Sequence, residues 1–368
     1  MVSPCFVNER IAVLLSRPIK KMNQDFFKFF EILFLLWYGI WENHSNQGKL
    51  MLFLNKSEIQ KLDQNMIQAS IEKAYRIMLS KDYHMPDRVH VSDGSNSLLL
   101  MPCFSGQYFS TKLVSVFPEA VKHGQPAVNG VMVLSDNISG KPLAIMDGAA
   151  LTAQRTGAVG GLAVKFLTPE KIKTAGVLGA GVQGFSQARY LMFNRNIETL
   201  YLYDVNLEMA GQTKEKLKQE FFGVDYVVTK TAAELVEKSG LIIAATTSQT
   251  PLFNTEPEAI RGKIFISIGS YRPDMQEFPD TVIEAADAVF VDTLFAMEES
   301  GDIAGPIKKQ PAIREKIKEF SSLFEKNTYA ENSTIFFKSV GMGLFDLSVS
   351  SAAYNLALQA NIGQMLDF

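Results

Sequence analysis

The sequence predicts an α/β fold in two parts: an antiparallel α+β first half, then a parallel, doubly wound sheet. Three observations carry this. From Lys173 onward, apolar strand candidates alternate with helix candidates. A glycine-rich turn, Gly179-Ala-Gly181-Val-Gln-Gly184, falls where the first of those strands hands over to a helix. Before it, short strands are separated by turn residues.

The chain has 368 residues, 47% of them apolar, which is enough for two domains and excludes a disordered or low-complexity chain. Its net charge of −3 gives no basic footprint for nucleic acid. Two cysteines, Cys5 and Cys103, make no disulfide scaffold and suit a reducing, cytoplasmic setting. His44, His84, His90 and His123 have no ligand spacing, so no metal is expected.

Residues 1–50 differ from the rest. Phe26 to Trp41 is dense in aromatics but carries Lys28 and Glu31. Its uncharged run, Ile32 to Trp41, is ten residues, about half of what a membrane-spanning helix needs. This stretch is expected to be an upstream extension from a misassigned start. The alternative is a membrane-associating or partner-binding segment.

From Met51 a strand leads into a helix that Ser57 can cap, with Ile59, Leu62, Met66, Ile67 and Ala74 on one side. Strands are expected at Arg88–Ser92, Ser97–Pro102 and Thr111–Phe117. Val131–Ser135 and Pro142–Met146 flank a turn at Asp136–Gly140 and read as a hairpin. Ala149–Phe166 reads as a helix whose Ala and Gly content permits close packing. Strand and helix then alternate: Ala175–Leu178, Val182–Asn194, Thr199–Tyr203, Leu207–Phe221. Further strands follow at Tyr226–Val228, Leu241–Ala244, Lys263–Ile268 and Ala288–Val291. After Pro311 the pattern reads as helical.

The glycine turn has the context that makes it informative. A strand precedes it and a helix follows. The second strand ends at Asp204, twenty residues past Gly184. Such glycines let a pyrophosphate approach a helix N-terminus. An acid at Asp204 accepts from both ribose hydroxyls and repels a 2′-phosphate, which favours NAD over NADP. Three cations are candidates for holding anionic ligand groups: Arg88 in Asp87-Arg-Val-His90, Lys112 beside Leu113 and Val114 in a strand, and Arg155 inside an Ala/Gly helix. Each could instead pair with a protein carboxylate or point outward.

Four collinear stretches resemble the ornithine cyclodeaminase/mu-crystallin family. They are Met146-Asp-Gly-Ala-Ala-Leu-Thr-Ala-Gln-Arg-Thr156, the glycine turn, Ile268-Gly-Ser-Tyr-Arg-Pro-Asp-Met-Gln-Glu277 and Phe337-Lys-Ser-Val-Gly-Met-Gly-Leu-Phe-Asp346. The resemblance implies a Rossmann domain (166–334) inserted in a substrate and dimerisation domain (51–165 and 335–368). It implies a homodimer, while the net charge and the short apolar run lead to no nucleic-acid and no membrane partner being expected. It also implies hydride transfer between NAD(H) and the α-carbon of a small amino or imino acid.

By the same resemblance Arg88 and Lys112 hold the substrate carboxylate, and Arg155 and Thr156 contact the cofactor. Gly179, Gly181, Val182, Gln183, Gly184 and Asp204 cradle its phosphates and ribose. Thr247, Ile268 and Ser339 line the nicotinamide pocket. The family's ornithine-cyclising members carry an Asp where this chain has Tyr271. Tyrosine is a weak base near neutrality. That favours a ketimine or pyrroline-2-carboxylate reductase, or an alanine dehydrogenase-like enzyme, with Lys112, Tyr271 or water supplying the proton. Ornithine cyclodeamination and a non-catalytic binding protein are the alternatives. Asp274, the nearest carboxylate, is expected to cap the next segment.

Overall fold

The computed structural model describes residues 50–325, 330 and 332–367. The expectations for residues 1–49 lie outside these. Among the described residues no helix is long and apolar enough to cross a membrane.

The first half begins with β1 (Leu50–Leu54), α1 (Lys56–Ile59) and α2 (Gln64–Ser80). Ser57 does not cap a helix. Asn55 does, accepting from the Glu58 backbone N–H at 3.1 Å, while the Glu58 carboxylate returns to the Asn55 N–H. Asp63 caps α2 through the Met66 N–H. Both residues lie one turn ahead of the apolar stripe they start.

Next come β2 (Val89–Asp93), β3 (Asn96–Ser105), β4 (Tyr108–Val116), β5 (Val128–Asp136), β6 (Pro142–Asp147) and the helix α3 (Gly148–Leu167). The β5–β6 hairpin forms as expected. Asp136 Oδ1 accepts the Ser139 and Ile138 N–H groups across its turn.

The second half runs β7 (Thr174–Leu178), α4 (Val182–Asn194), β8 (Thr199–Tyr203), α5 (Leu207–Glu220), β9 (Asp225–Val228), α6 (Ala232–Lys238), β10 (Leu241–Ala244) and β11 (Ile264–Ser267). It continues through α7 (Asp280–Ala285), β12 (Ala288–Val291), α8 (Ala296–Glu299), α9 (Gly301–Lys309), β13 (Ile317–Glu319) and β14 (Ile335–Lys338). Then α10 (Gly343–Ala360) and β15 (Gln364–Asp367) follow.

Two sheets result. One orders its strands β15-β1-β6-β5-β4-β3-β2, antiparallel from β6 to β2. The other orders them β13-β12-β14-β11-β10-β7-β8-β9 with parallel pairing throughout. Two expectations are corrected here. The stretch after Pro311 is not simply helical: short 3₁₀ turns flank β13, and β14 follows. Residues 335–338, expected with the returning C-terminal segment, form a strand inside the parallel sheet between β11 and β12. Their run Ile-Phe-Phe is apolar on both faces, as a strand covered on both sides must be.

The small residues of α3 act as expected. A Cβ on Gly157 would overlap the Ser186 hydroxyl, and one on Gly160 the Gln187 amide. Both neighbours belong to α4. This close approach fastens the first sheet's helix to the helix that follows the glycine turn.

Candidate functional site

The glycine turn joins β7 to α4. Gly179 has φ +89°, which L side chains rarely adopt. Its N–H donates to the Tyr203 carbonyl at 2.8 Å, so the turn is tied to the end of β8. A Cβ on Gly184 would overlap the Gly179 carbonyl oxygen. Around Gly181, by contrast, nothing lies within 4 Å of where a Cβ would stand. Two glycines therefore shape the loop and the third leaves an approach open above a helix N-terminus, a setting that suits an anion. Val182 is 73% exposed at the same mouth.

Asp204 follows β8. One oxygen accepts the Ala180 N–H at 2.7 Å and the other the Asn206 N–H at 2.9 Å. Each oxygen keeps lone-pair capacity for a diol. Two buried polar atoms, Thr156 Oγ1 and Gln183 Oε1, have no hydrogen-bond partner among the described residues. Both belong to residues expected at the cofactor. The open glycine, the acid and the unpartnered polar atoms fit a dinucleotide.

The cations stand at the start of α10. Strand alternation turns Lys112 inward, where its neighbours across β3 and β5 are the buried Met101 and Met132. Lys112 Nζ lies 2.8 Å from Asp346 Oδ2, and Arg155 Nε from α3 lies 3.1 Å from Asp346 Oδ1. Asp346 is fully buried in the first turn of α10, where the helix dipole also favours an anion. Asp346 is thus the shared counter-ion of both cations. Burial pushes the Lys112 ammonium down to about 8. Arg155 and Arg88 push the same way, and Asp346 opposes them.

Gly341 links this pair to the third cation. Its φ is +75°, and a Cβ there would stand 2.5 Å from Arg155 Nη1. Its carbonyl accepts from Arg88 Nη2 at 3.0 Å. Arg88 Nη2 also lies 2.9 Å from Glu299 Oε2. The three cations are thus brought together, but each has a protein carboxylate. This is the alternative that cationic side chains in apolar sequence leave open.

A second buried network supports the loops nearby. Glu277 accepts from the N–H groups of Thr246, Gly269 and Ser270 and clamps the loops after β10 and β11. Burial raises its pKa. Lys338 Nζ donates to Ser267 Oγ at 2.9 Å, and Ser267 Oγ lies 2.6 Å from Asp302. Asp292 accepts from the Ser339 hydroxyl and from the Val340 and Gly341 N–H groups, which fixes the backbone that meets Arg88.

The remaining expected residues are placed less tightly. Ile268 is buried after β11, Thr247 is exposed after β10, and the Ser339 hydroxyl is directed at Asp292. Tyr271 is half-buried and makes no hydrogen bond or ion pair with the three cations. Asp274 does not cap a helix. It forms an exposed two-point pair with Arg272, at 3.0 and 2.9 Å.

Asp346 and Glu299 are the site residues the sequence left without a role. A signal existed for Asp346: an acid inside Leu344-Phe-Asp-Leu implies a buried charge with a partner. None existed for Glu299, since Glu298 beside it is simply exposed. A surface cleft of ≈ 430 Å³ lined by Met78, Lys81, Tyr83, His84, Met85 and Glu319 contains none of these residues. No cluster of metal-binding side chains occurs among the described residues.

Residues 49–361 match the ornithine cyclodeaminase/mu-crystallin family. A Δ1-pyrroline-2-carboxylate reductase of Bacillus thuringiensis subsp. konkukian is 30% identical over 86% of this chain and 100% of its own. The structure of Thermococcus litoralis Δ1-pyrroline-2-carboxylate reductase with NADH and L-proline superposes with a TM-score of 0.79. It has 32% identity, covering 85% of this chain and 99% of that one. An archaeal alanine dehydrogenase dimer with bound NAD gives a TM-score of 0.80 and 25% identity, over 87% and 99%.

Proposed function

From the premise that this chain belongs to the ornithine cyclodeaminase/mu-crystallin family, we propose that it is an NAD(H)-dependent reductase. Its substrate class is small α-imino acids, with Δ1-pyrroline-2-carboxylate the first candidate. The observation that carries this reading is the convergence of Arg88, Lys112 and Arg155 on Gly341 and Asp346, where the chain passes from β14 into α10. Two relatives that act on or bind such compounds support the choice.

In this reading Gly179, Gly181, Val182, Gln183, Gly184 and Asp204 hold the dinucleotide, with Arg155, Thr156, Thr247, Ile268 and Ser339 toward its nicotinamide end. When bound, the cofactor supplies the hydride. Arg88 and Lys112 take the substrate carboxylate and so fix the α-carbon. Such positioning contributes several kcal/mol to catalysis. Lys112, with its ammonium near 8, also donates the proton that the imine nitrogen needs. Tyr271 is the second candidate donor.

Ornithine cyclodeamination is disfavoured. Tyr271 stands where the resemblance implies an Asp, and Asp274 is engaged with Arg272 at the surface. The active form we propose is a cytoplasmic homodimer. Val89, Leu113 and Val131 form an exposed apolar row across β2, β4 and β5, opposite the Lys112 face. The archaeal relative's dimer supports this.

The test offers the full chain and NADH pyrroline-2-carboxylate, piperideine-2-carboxylate, or pyruvate with ammonia. L-Ornithine with catalytic NAD runs in parallel. Stoichiometric NADH loss with an imino acid is the expected result. Proline and ammonia from ornithine, without net NADH change, would overturn it.

A further inference from the structure

Among the described residues, the hydrogen bonds of the Arg88 guanidinium are made by Nη2. It donates to the Gly341 carbonyl at 3.0 Å, lies 3.5 Å from the Val340 carbonyl and 2.9 Å from Glu299 Oε2. Nε and Nη1 make no hydrogen bond among the described residues, which leaves their N–H groups for a ligand. Glu299 Oε2 is buried and accepts no aligned hydrogen bond, so it depends on the charge of Arg88. Besides Arg88 at 2.9 Å, the charges of Asp87 from the same loop, Asp292 after β12 and Lys338 at the end of β14 act on this carboxylate. Two of these four groups are themselves anionic.

We propose that Glu299 takes up a proton from solvent when the substrate carboxylate joins Arg88, so that substrate binding is linked to protonation of this side chain. The proposal rests on the reading that Arg88 holds the substrate carboxylate. Its physical basis is that two carboxylates confined against one cation cannot both ionise cheaply. The substrate needs its charge to be oriented, and Glu299 is the partner that can give its charge up. Burial, Asp292 and Asp87 already hold Glu299 near 7 against Arg88 and Lys338, so a small further push is enough. Glu299 meets Arg88 at 2.9 Å and acts through it. It is a positioning residue that sets the charge onto which the substrate lands.

The experiment is calorimetric titration of L-proline into the full-length protein saturated with NADH. At pH 7.5 it is run in buffers of different ionisation enthalpy, which yields protons bound per ligand. Lys112 contributes to wild type and Glu299→Gln alike, so the difference between the two is the readout. The variant should take up fewer protons by about half a proton or more. The ratio of the two Kd values should change by up to about tenfold between pH 7 and 8.

Equal proton uptake in both proteins overturns the proposal. So does a Glu299→Gln variant that binds more weakly by the same factor at every pH, since that is a purely structural hold on Arg88. The underlying reading fails separately, if Arg88→Gln leaves L-proline affinity unchanged. No L-proline binding by the wild type would sink the reading and the proposal together.

Discussion

Lys112 and Asp346, from β4 and the first turn of α10, meet as an ion pair of 2.8 Å with almost no solvent access. Asp346 serves Arg155 as well. One carboxylate therefore sets the charge of a candidate substrate-binding lysine and of a candidate cofactor-binding arginine.

Asp346→Asn should leave two buried cations without a counter-ion. The expected stability loss is about 3–5 kcal/mol, read by urea unfolding. The variant also tests the titration of Lys112. Its native pKa is about 8, below the ordinary lysine value, because burial outweighs the carboxylate. Native protein thus binds fewer protons than unfolded chain from pH 8 to about 10.5, and this group's contribution to stability rises with pH across that window. Activity should move the opposite way, with the Lys112 limb of kcat/KM falling above about pH 8. Removing the carboxylate lowers the lysine pKa further, so the alkaline limb should shift to lower pH in any folded Asp346→Asn. An unmoved limb would assign it to another group.

Lys112→Ala and Tyr271→Phe separate the two candidate proton donors. Loss of the lysine should lower kcat by about 10²–10⁴ while NADH still binds, as followed by its fluorescence. Loss of the tyrosine hydroxyl should change kcat by less than about threefold. The reverse ranking would transfer the role to Tyr271.

Gly181→Ala and Gly184→Ala should fail differently. The first adds a methyl where no protein atom stands within 4 Å. Thermal stability should therefore hold to within about 0.5 kcal/mol, while NADH affinity falls at least about tenfold as the phosphate approach narrows. The second drives a methyl into the Gly179 carbonyl, so stability and cofactor binding should fall together. Equal NADH affinity in wild type and Gly181→Ala would move the cofactor elsewhere.

Asp204→Asn should weaken discrimination against NADPH by about tenfold or more, because a neutral amide no longer repels a 2′-phosphate. The amide oxygen can still accept the Ala180 or the Asn206 N–H, so the loop should persist. Measuring kcat/KM with both cofactors decides it, and an unchanged ratio would remove Asp204 from the ribose.

Much of this protein follows from local chemistry. Strand–helix alternation, the glycine turn and the acid ending the second strand each depend on neighbours within about one βαβ unit, so they are legible in order along the sequence. The cations were visible too, because Lys112 stands beside Leu113 and Val114 in a strand and Arg155 stands inside an Ala- and Gly-rich helix. Their partners were not. Asp346 reaches Lys112 only because α10 returns across β3 and β4. Glu299 reaches Arg88 only because the end of α8 meets the loop before β2. Residues 335–338 likewise join the parallel sheet by a pairing that no periodicity specifies. Sequence determined which side chains were costly to bury, since that cost belongs to each residue. Tertiary structure decided which opposite charge offsets each cost, since Coulomb partners are chosen by distance in space and not along the chain.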